Sequence, residues 1–334
     1  MLRLFRYTAI AIVILIVMVA TAWGALALWF RLPGPETWRM AVSGGFGLFG
    51  AAIVLAQFGA RRIGALGLFA LVFAGLLTWW LSIPPPATGN WSPDVARQVT
   101  GRIDGDLLTL TNIREFDWRS DDDYSVNWTT RRYDLSQLQS VDMFLSYWAG
   151  PAMAHFIVSF GFAEGQYLAW SVEVRREVGG GFSPIADFFK TNTLVIIASV
   201  EQDVVGVRSN VRGEDVQLFR LSVPMEMARA LLREYVRDAN ALAAQPEFYN
   251  SISTNCTTVV LRMMDAIGNG LPLDWRLLAN GYLPDYAYER GALDRRHTMA
   301  ELRALGRIAP QARAVGLVSG FSQAIRAGVP VPAR

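Results

Sequence analysis

Three uncharged apolar runs within the first 83 residues constrain this chain more than any other feature. The first lies between Arg6 and Arg31, the second between Arg39 and Arg61, and the third runs from Ile63 to about Ile83. Each exceeds the roughly 20 residues that an α-helix needs to cross about 30 Å of hydrocarbon. A signal peptide has an apolar region of only about 7–15 residues, so the first run reads as an uncleaved span with two more behind it. Pro84-Pro85-Pro86 ends the third, because proline lacks an amide donor and drives its predecessor out of the helical region. Gly44, Gly45, Gly47 and Gly50 would let the second span approach its neighbours. Trp79, Trp80 and Trp91 fit an interfacial aromatic belt.

Positive charge sets the expected orientation. Arg3 and Arg6 precede the first span, and Arg61 and Arg62 fill the short turn between the second and third. The loop from Arg31 to Arg39 carries two arginines offset by Glu36. This distribution predicts a cytoplasmic N-terminus, and three spans then place everything after Ile83 on the other side, in the periplasm for a bacterial inner-membrane protein. Residues 1–90 hold six arginines and one glutamate, leaving 25 basic and 28 acidic groups for the remainder. That balance excludes a nucleic-acid-binding class. The expected organisation is a three-span anchor over 1–83, a linker over 84–100 and a periplasmic domain over 101–334.

Beyond Trp91 the texture changes to short runs rich in Val, Ile, Phe, Thr, Trp and Tyr, bounded by Gly, Asp and Asn. Asp106–Ile113, Val141–Trp148, Ala154–Phe162, Tyr167–Glu173, Thr193–Val200 and Val216–Leu221 read as strands. Helical spacing of Met227, Leu231, Leu232, Tyr235, Ala239 and Leu242 follows Pro224. A second helix is expected from Cys256 to Ile267, ended by Gly268. Strands grouped ahead of helices predict an α+β domain.

One cysteine among 334 residues excludes an internal disulfide, a zinc ribbon and an iron–sulfur site. Cys256 follows a polar loop in which Thr254 or Asn255 can cap the helix. A thiol in the first helical turn faces unpaired amides and the positive end of the dipole, which favour the nucleophilic thiolate. A buried structural cysteine is the alternative. Of the two histidines, His297 sits in the charged run Arg295-Arg296-His297-Thr298, and His155 lies inside an apolar strand. A base needs an acceptor on its other ring nitrogen. Ser171 and Glu173 share one face of the next strand by period-2 alternation, although Glu173 could instead point outward and pair with Arg175. Asp121-Asp122-Asp123 lacks the ligand spacing of a calcium loop. No metal site and no cofactor is implied.

The residues also resemble a known family. Tyr133-Asp134-Leu135, Ser140-Val141-Asp142 and the His155 strand ending Ser159-Phe160-Gly161-Phe162 form one block. Ser171-Val172-Glu173-Val174-Arg175 forms the second, and Pro246-Glu247-Phe248-Tyr249-Asn250 through Asn255-Cys256-Thr257-Thr258 the third. Gln202-Asp203-Val204 and Arg208-Ser209-Asn210-Val211-Arg212 lie between them. Together, over about residues 100–270, they resemble the DUF4105 family, the N-terminal periplasmic domain of the Lnb-type bacterial lipoprotein N-acyltransferase. The resemblance implies a thiol enzyme of permuted papain-like (NlpC/P60-like) topology, with Cys256 as nucleophile and His155 as base. Glu173 is the expected orienting residue, and Ser171, Tyr249, Asn250 and Asn255 are candidate binding positions. In the named family member the membrane part follows this domain, whereas here the spans precede it.

The expected function is a membrane-anchored acyltransferase that moves a phospholipid acyl chain through a Cys256 thioester to an amine, the resemblance implying the N-terminus of a lipoprotein. Its expected partners are the bilayer, the phospholipid donor and that acceptor. A periplasmic cysteine peptidase or amidase would use the same dyad. A non-catalytic membrane-anchored module would need neither residue.

Overall fold

The computed structural model describes residues 2–333; the side chains of Arg3 and Arg6, part of the orientation argument, lie outside the described residues. The chain divides into two compact units.

The first unit comprises the chain through Pro86 together with Ser183–Thr191. Its helices α1 (Leu2–Arg31), α2 (Glu36–Ala56) and α3 (Arg62–Ser82) are each long and apolar enough to cross a membrane. Val17, Leu28, Phe46, Ile53 and Phe69 form their shared core. Of the four glycines expected to permit close approach, Gly50 alone does so. A Cβ there would lie 2.1 Å from Thr21 Oγ1, whereas Gly44, Gly45 and Gly47 face open space. Gly24 on α1 is a close-contact position not anticipated, hard against Phe46 and Leu76. The segment Ser183–Thr191, remote in sequence, contains the one-turn helix α4 (Pro184–Phe188). Phe189 stacks on Phe30 at 5.7 Å, and Lys190 Nζ donates to the Trp80 carbonyl at 2.8 Å while sitting 4.1 Å from the Trp80 ring centre.

The second unit, Ala87–Phe182 with Asn192–Arg334, is a mixed α/β domain. Its strands are β1 (Thr100–Asp104), β2 (Leu107–Arg114), β3 (Asp117–Trp118), β4 (Tyr124–Ser125), β5 (Trp128–Asp134), β6 (Leu138–Tyr147), β7 (Ala154–Phe162), β8 (Tyr167–Arg175), β9 (Thr193–Ser199) and β10 (Asp215–Arg220). An eight-stranded sheet runs β1-β2-β9-β8-β7-β6-β10, with β5 branching from β2. All its pairings are antiparallel except the short β2–β9 contact. The first and fifth strands lay outside the sequence expectation, as did the small β3–β4 pair. β1 and β5 are charged on their exposed face, so their apolar alternation is faint.

Both faces of the sheet are covered. Phe156, Val158 and Phe160 of β7 pack with Trp170 and Val172 of β8 beneath the helices α6 (Met225–Ala244) and α7 (Cys256–Ala266). On the opposite face, Ile157 and Ala169 pack with Val204 of the one-turn helix α5 (Glu201–Val204) and with Ile308, Ala312 and Phe321 of the C-terminal segment. That segment is built of short helices, α8 (Leu283–Glu289), α9 (Met299–Gly306), α10 (Ala309–Val315) and α11 (Phe321–Ala324). Trp91 falls in this unit, where it bridges to Glu177 and lies under Arg175 at 4.8 Å.

One irregularity of the sheet matters for the site. β7 pairs with β6 along its whole length, back to Tyr147↔Ala154, and β8 pairs with β9 out to Arg175↔Thr193. Between β7 and β8, however, pairing stops at Ile157↔Ser171. Residues 154–156 and 172–175 therefore diverge, and backbone groups that would otherwise face the adjacent strand are released.

Candidate active site

The N-terminus of α7 is held by a capping box. Asn255 Oδ1 accepts from the Thr257 and Thr258 amides at 2.9 and 3.0 Å, and Thr258 Oγ1 accepts from the Asn255 amide at 2.8 Å. This fixes Cys256 as the first helical residue, on the α7 layer. Among the described residues the Cys256 amide has no hydrogen-bond partner, as expected of a first-turn donor.

His155 leaves β7 on the other face, the one it shares with Ile157. Its Nε2 lies 2.6 Å from Ser171 Oγ and 3.1 Å from Glu173 Oε1, and Ser171 Oγ donates to Glu173 Oε1 at 2.7 Å. With the hydroxyl proton committed to the carboxylate, Nε2 carries the hydrogen that Ser171 and Glu173 accept, leaving Nδ1 for the thiol. Thiol and imidazole thus come from opposite layers and meet where β7 and β8 part. The released Phe156 amide is directed at the sulfur.

The electrostatics follow from this geometry. Burial pushes the Cys256 thiol up, but the His155 imidazole, by hydrogen bonding and by charge, together with the Phe156 amide and the Thr257 hydroxyl, brings it below its ordinary value. Burial and Arg208 pull His155 down, whereas Glu173 and the thiol more than offset them and raise it. Glu173 is driven up by burial yet held well below the usual carboxylate range by His155, Arg208 and Ser171. The site favours a thiolate beside an imidazolium.

Residues outside the expected set complete it. Arg208 Nη2 lies 3.3 Å from Glu173 Oε1 and its Nη1 3.2 Å from Glu214 Oε2, while Glu214 accepts from Ser146. Arg208 comes from a π-helical turn, Val207–Val211, whose residues the family resemblance includes without assigning a role. Asn280 is buried behind the thiol. Its Nδ2 donates to the Ala154 carbonyl at 2.7 Å and to Thr257 Oγ1 at 3.0 Å and stands 3.6 Å from Cys256 Sγ, and its Oδ1 accepts from the Ala154 amide at 2.9 Å. It ties the β7 end to the start of α7. Gly281 follows because a side chain there would run into the Pro151 carbonyl, 2.1 Å from the Cβ position.

The remaining expected positions are placed as follows. Ser171 and Glu173 act together, and Arg175 binds the Val95 and Ala96 carbonyls rather than Glu173. Tyr249 is buried against Phe182. Asn250 Oδ1 accepts from the Ile252 and Ser253 amides and shapes the loop before α7. Asn255 serves the cap. His297 lies beside Asp294, away from the site. Asp203, in the motif after β9, holds the buried Arg114 and the Trp118 indole, a structural task. Asp121 and Asp123 pair with Arg212 and Arg119. No cluster of three or more potential metal ligands occurs among the described residues.

The fold and site define a class: a protein with three membrane-length helices and a mixed α/β domain carrying a thiol–imidazole–carboxylate group. Residues 124–281 match the family model of the Lnb N-terminal periplasmic domain, which is consistent with a Lnb-type family assignment. The match runs from β4 through Asn280 and encloses His155, Ser171, Glu173, Arg208 and Cys256. No curated protein and no solved structure matches the chain.

Proposed function

We propose that the protein is a multi-pass inner-membrane cysteine acyltransferase with a cytoplasmic N-terminus, working on the periplasmic side. The Cys256 thiolate attacks the ester carbonyl of a phospholipid. A C–S bond forms, the ester C–O bond breaks, and the His155 imidazolium gives its proton to the departing lysophospholipid oxygen. An amine, in the family's chemistry the N-terminus of a lipoprotein, then attacks the thioester. The C–N bond forms as C–S breaks, and the amine proton returns to His155, restoring the ion pair. The unpaired Cys256 amide is the natural donor to the oxyanion in both halves. Glu173, backed by Arg208, keeps the imidazole oriented and charged.

The observation that carries this reading is the Cys256–His155–Glu173 arrangement at a capped helix start. The test uses the full chain in detergent, incubated with phosphatidylethanolamine–phosphatidylglycerol vesicles. The expected result is a hydroxylamine-labile acyl mass on Cys256 that moves to a diacylglyceryl-cysteine peptide. Cleavage of cell-wall peptides without any lipid adduct would replace this reading with a peptidase. Full retention of lipoprotein and cell-wall phenotypes in Cys256→Ser and His155→Ala strains would leave a non-catalytic module.

A further inference from the structure

A cavity of about 160 Å³ lies beside the candidate site, within the extramembrane unit, and its lining is almost wholly apolar. Two of its walls belong to residues next to the reacting groups. Phe156 contributes its ring while its amide addresses the Cys256 sulfur. Thr257 adjoins Cys256, and its hydroxyl is engaged by Asn280. From Thr257 the wall continues along Val260, Leu261 and Met264, a single stripe of α7 about 10 Å long. Ala228 and Leu231 of α6 and Ala287 of α8 close the other sides. The remaining polar groups are spent or peripheral: the Tyr286 hydroxyl donates to the Pro272 carbonyl, and Arg290 is exposed.

We infer that this cavity holds the hydrocarbon chain of the acyl group carried on Cys256, and that Ala228, Leu231 and Ala287 set the length it accepts. The inference rests on the acyl-transfer reading above and adds the part of the substrate that the thiol chemistry alone does not specify. A peptide has no use for a buried pocket without polar partners, since its amides would be left unsatisfied. An alkyl chain matches it. A dry apolar cavity of about 150 Å³ accommodates a benzene-sized guest, so the space suits about six to eight carbons, the first stretch of a longer chain.

The single cysteine permits a test that needs no transfer activity. The full chain in detergent is treated with a series of alkyl 2-pyridyl disulfides, from methyl to dodecyl. The Cys256 thiolate attacks the alkyl-bearing sulfur, a mixed disulfide forms, the old S–S bond breaks, and pyridine-2-thione leaves and is measured by absorbance. Relative to a small thiol in the same detergent, the rate should rise up to about fourfold per added carbon and level off near eight. Ala228→Leu and Ala287→Phe should each move the plateau to shorter chains while the methyl probe, which needs only the thiol, reacts as in the parent. Leu231→Ala should move it to longer ones. A flat length dependence, or one that none of these variants shifts, overturns the inference. Length dependence without any acyl adduct from phospholipid would instead leave an alkyl-binding cavity beside the thiol, remove the transfer reading and overturn its assignment to a Cys256-borne acyl group.

Discussion

His155 Nε2 stands 3.1 Å from Glu173 Oε1, two positions that belong to strands whose pairing has already ended. The carboxylate accepts from the ring nitrogen remote from sulfur, so it fixes the tautomer and favours the charged ring once Nδ1 takes the thiol proton. Glu173 is in turn held between Ser171 and Arg208.

The thiolate–imidazolium pair predicts how thiol reactivity responds to pH. In the parent, iodoacetamide should modify Cys256 at pH values below the ordinary thiol range, because the imidazole lowers it. In His155→Ala burial is opposed only by the Phe156 amide and the Thr257 hydroxyl, and the profile should move to higher pH. Transfer should fall by about 10²–10⁴ in that variant and vanish in Cys256→Ala. An alkylation profile indifferent to His155 would dissolve the pair.

Glu173→Gln tests the carboxylate through acid stability. Its folded pKa lies below the unfolded value of about 4.3. Its contribution is therefore fully present above that value and is lost as pH falls through the folded pKa. The variant should lose roughly 3 kcal/mol near neutrality, since Arg208 keeps a buried charge with one partner fewer. The two proteins should converge only as pH falls through the folded pKa, well below the ordinary carboxylate range. Thermal unfolding across pH 2–7 would check this, and parallel curves would contradict it.

Asn280→Ala removes the side chain that satisfies both backbone groups of Ala154. The expected cost is about 1–3 kcal/mol, with lower kcat because the β7 end is no longer fixed to α7. Asn280→Asp adds a carboxylate 3.6 Å from sulfur if it keeps the Asn280 position, so alkylation should shift to higher pH although the volume is unchanged. An Asp variant that alkylates like the parent would count against the placement of Asn280.

The cap makes a separate prediction. Asn255→Ala should destabilise the domain by about 1–2 kcal/mol and slow Cys256 alkylation at neutral pH, whereas Asn255→Ser should restore most of both.

Within the anchor, Gly50→Leu should impair helix packing because an added Cβ there would fall on Thr21, while Gly44→Leu, in open space, should not. Detergent melting curves of the full chain distinguish them.

The sequence announces elements that satisfy a simple local period. Uncharged runs locate the three helices to within about five residues at each end, and β7 spans Ala154–Phe162 as its pattern requires. Ser171 and Glu173 were legible beside His155 because alternation along one strand places both on one face. Arg208 was not, since it reaches Glu173 from 35 residues away through a π-helical turn that no periodicity encodes. Asn280 lies in an irregular stretch after α7, where Ala279-Asn280-Gly281 carries only a turn signal. The divergence of β7 from β8 is likewise invisible, because both strands remain fully paired on their other sides.

Ser183–Thr191 interrupts the sheet domain between β8 and β9 and yet packs within the helical unit. The polypeptide therefore passes from one body to the other at three points along its length rather than one. A recombinant fragment beginning at Ala87 would retain Phe189 and Lys190 but lose Phe30 and Trp80, their stacking and hydrogen-bonding companions. It would expose a sticky apolar spur directly between two core strands. Truncation after the proline triplet is thus a poor route to a water-soluble domain, and excision of the spur with a short glycine bridge is the cleaner design.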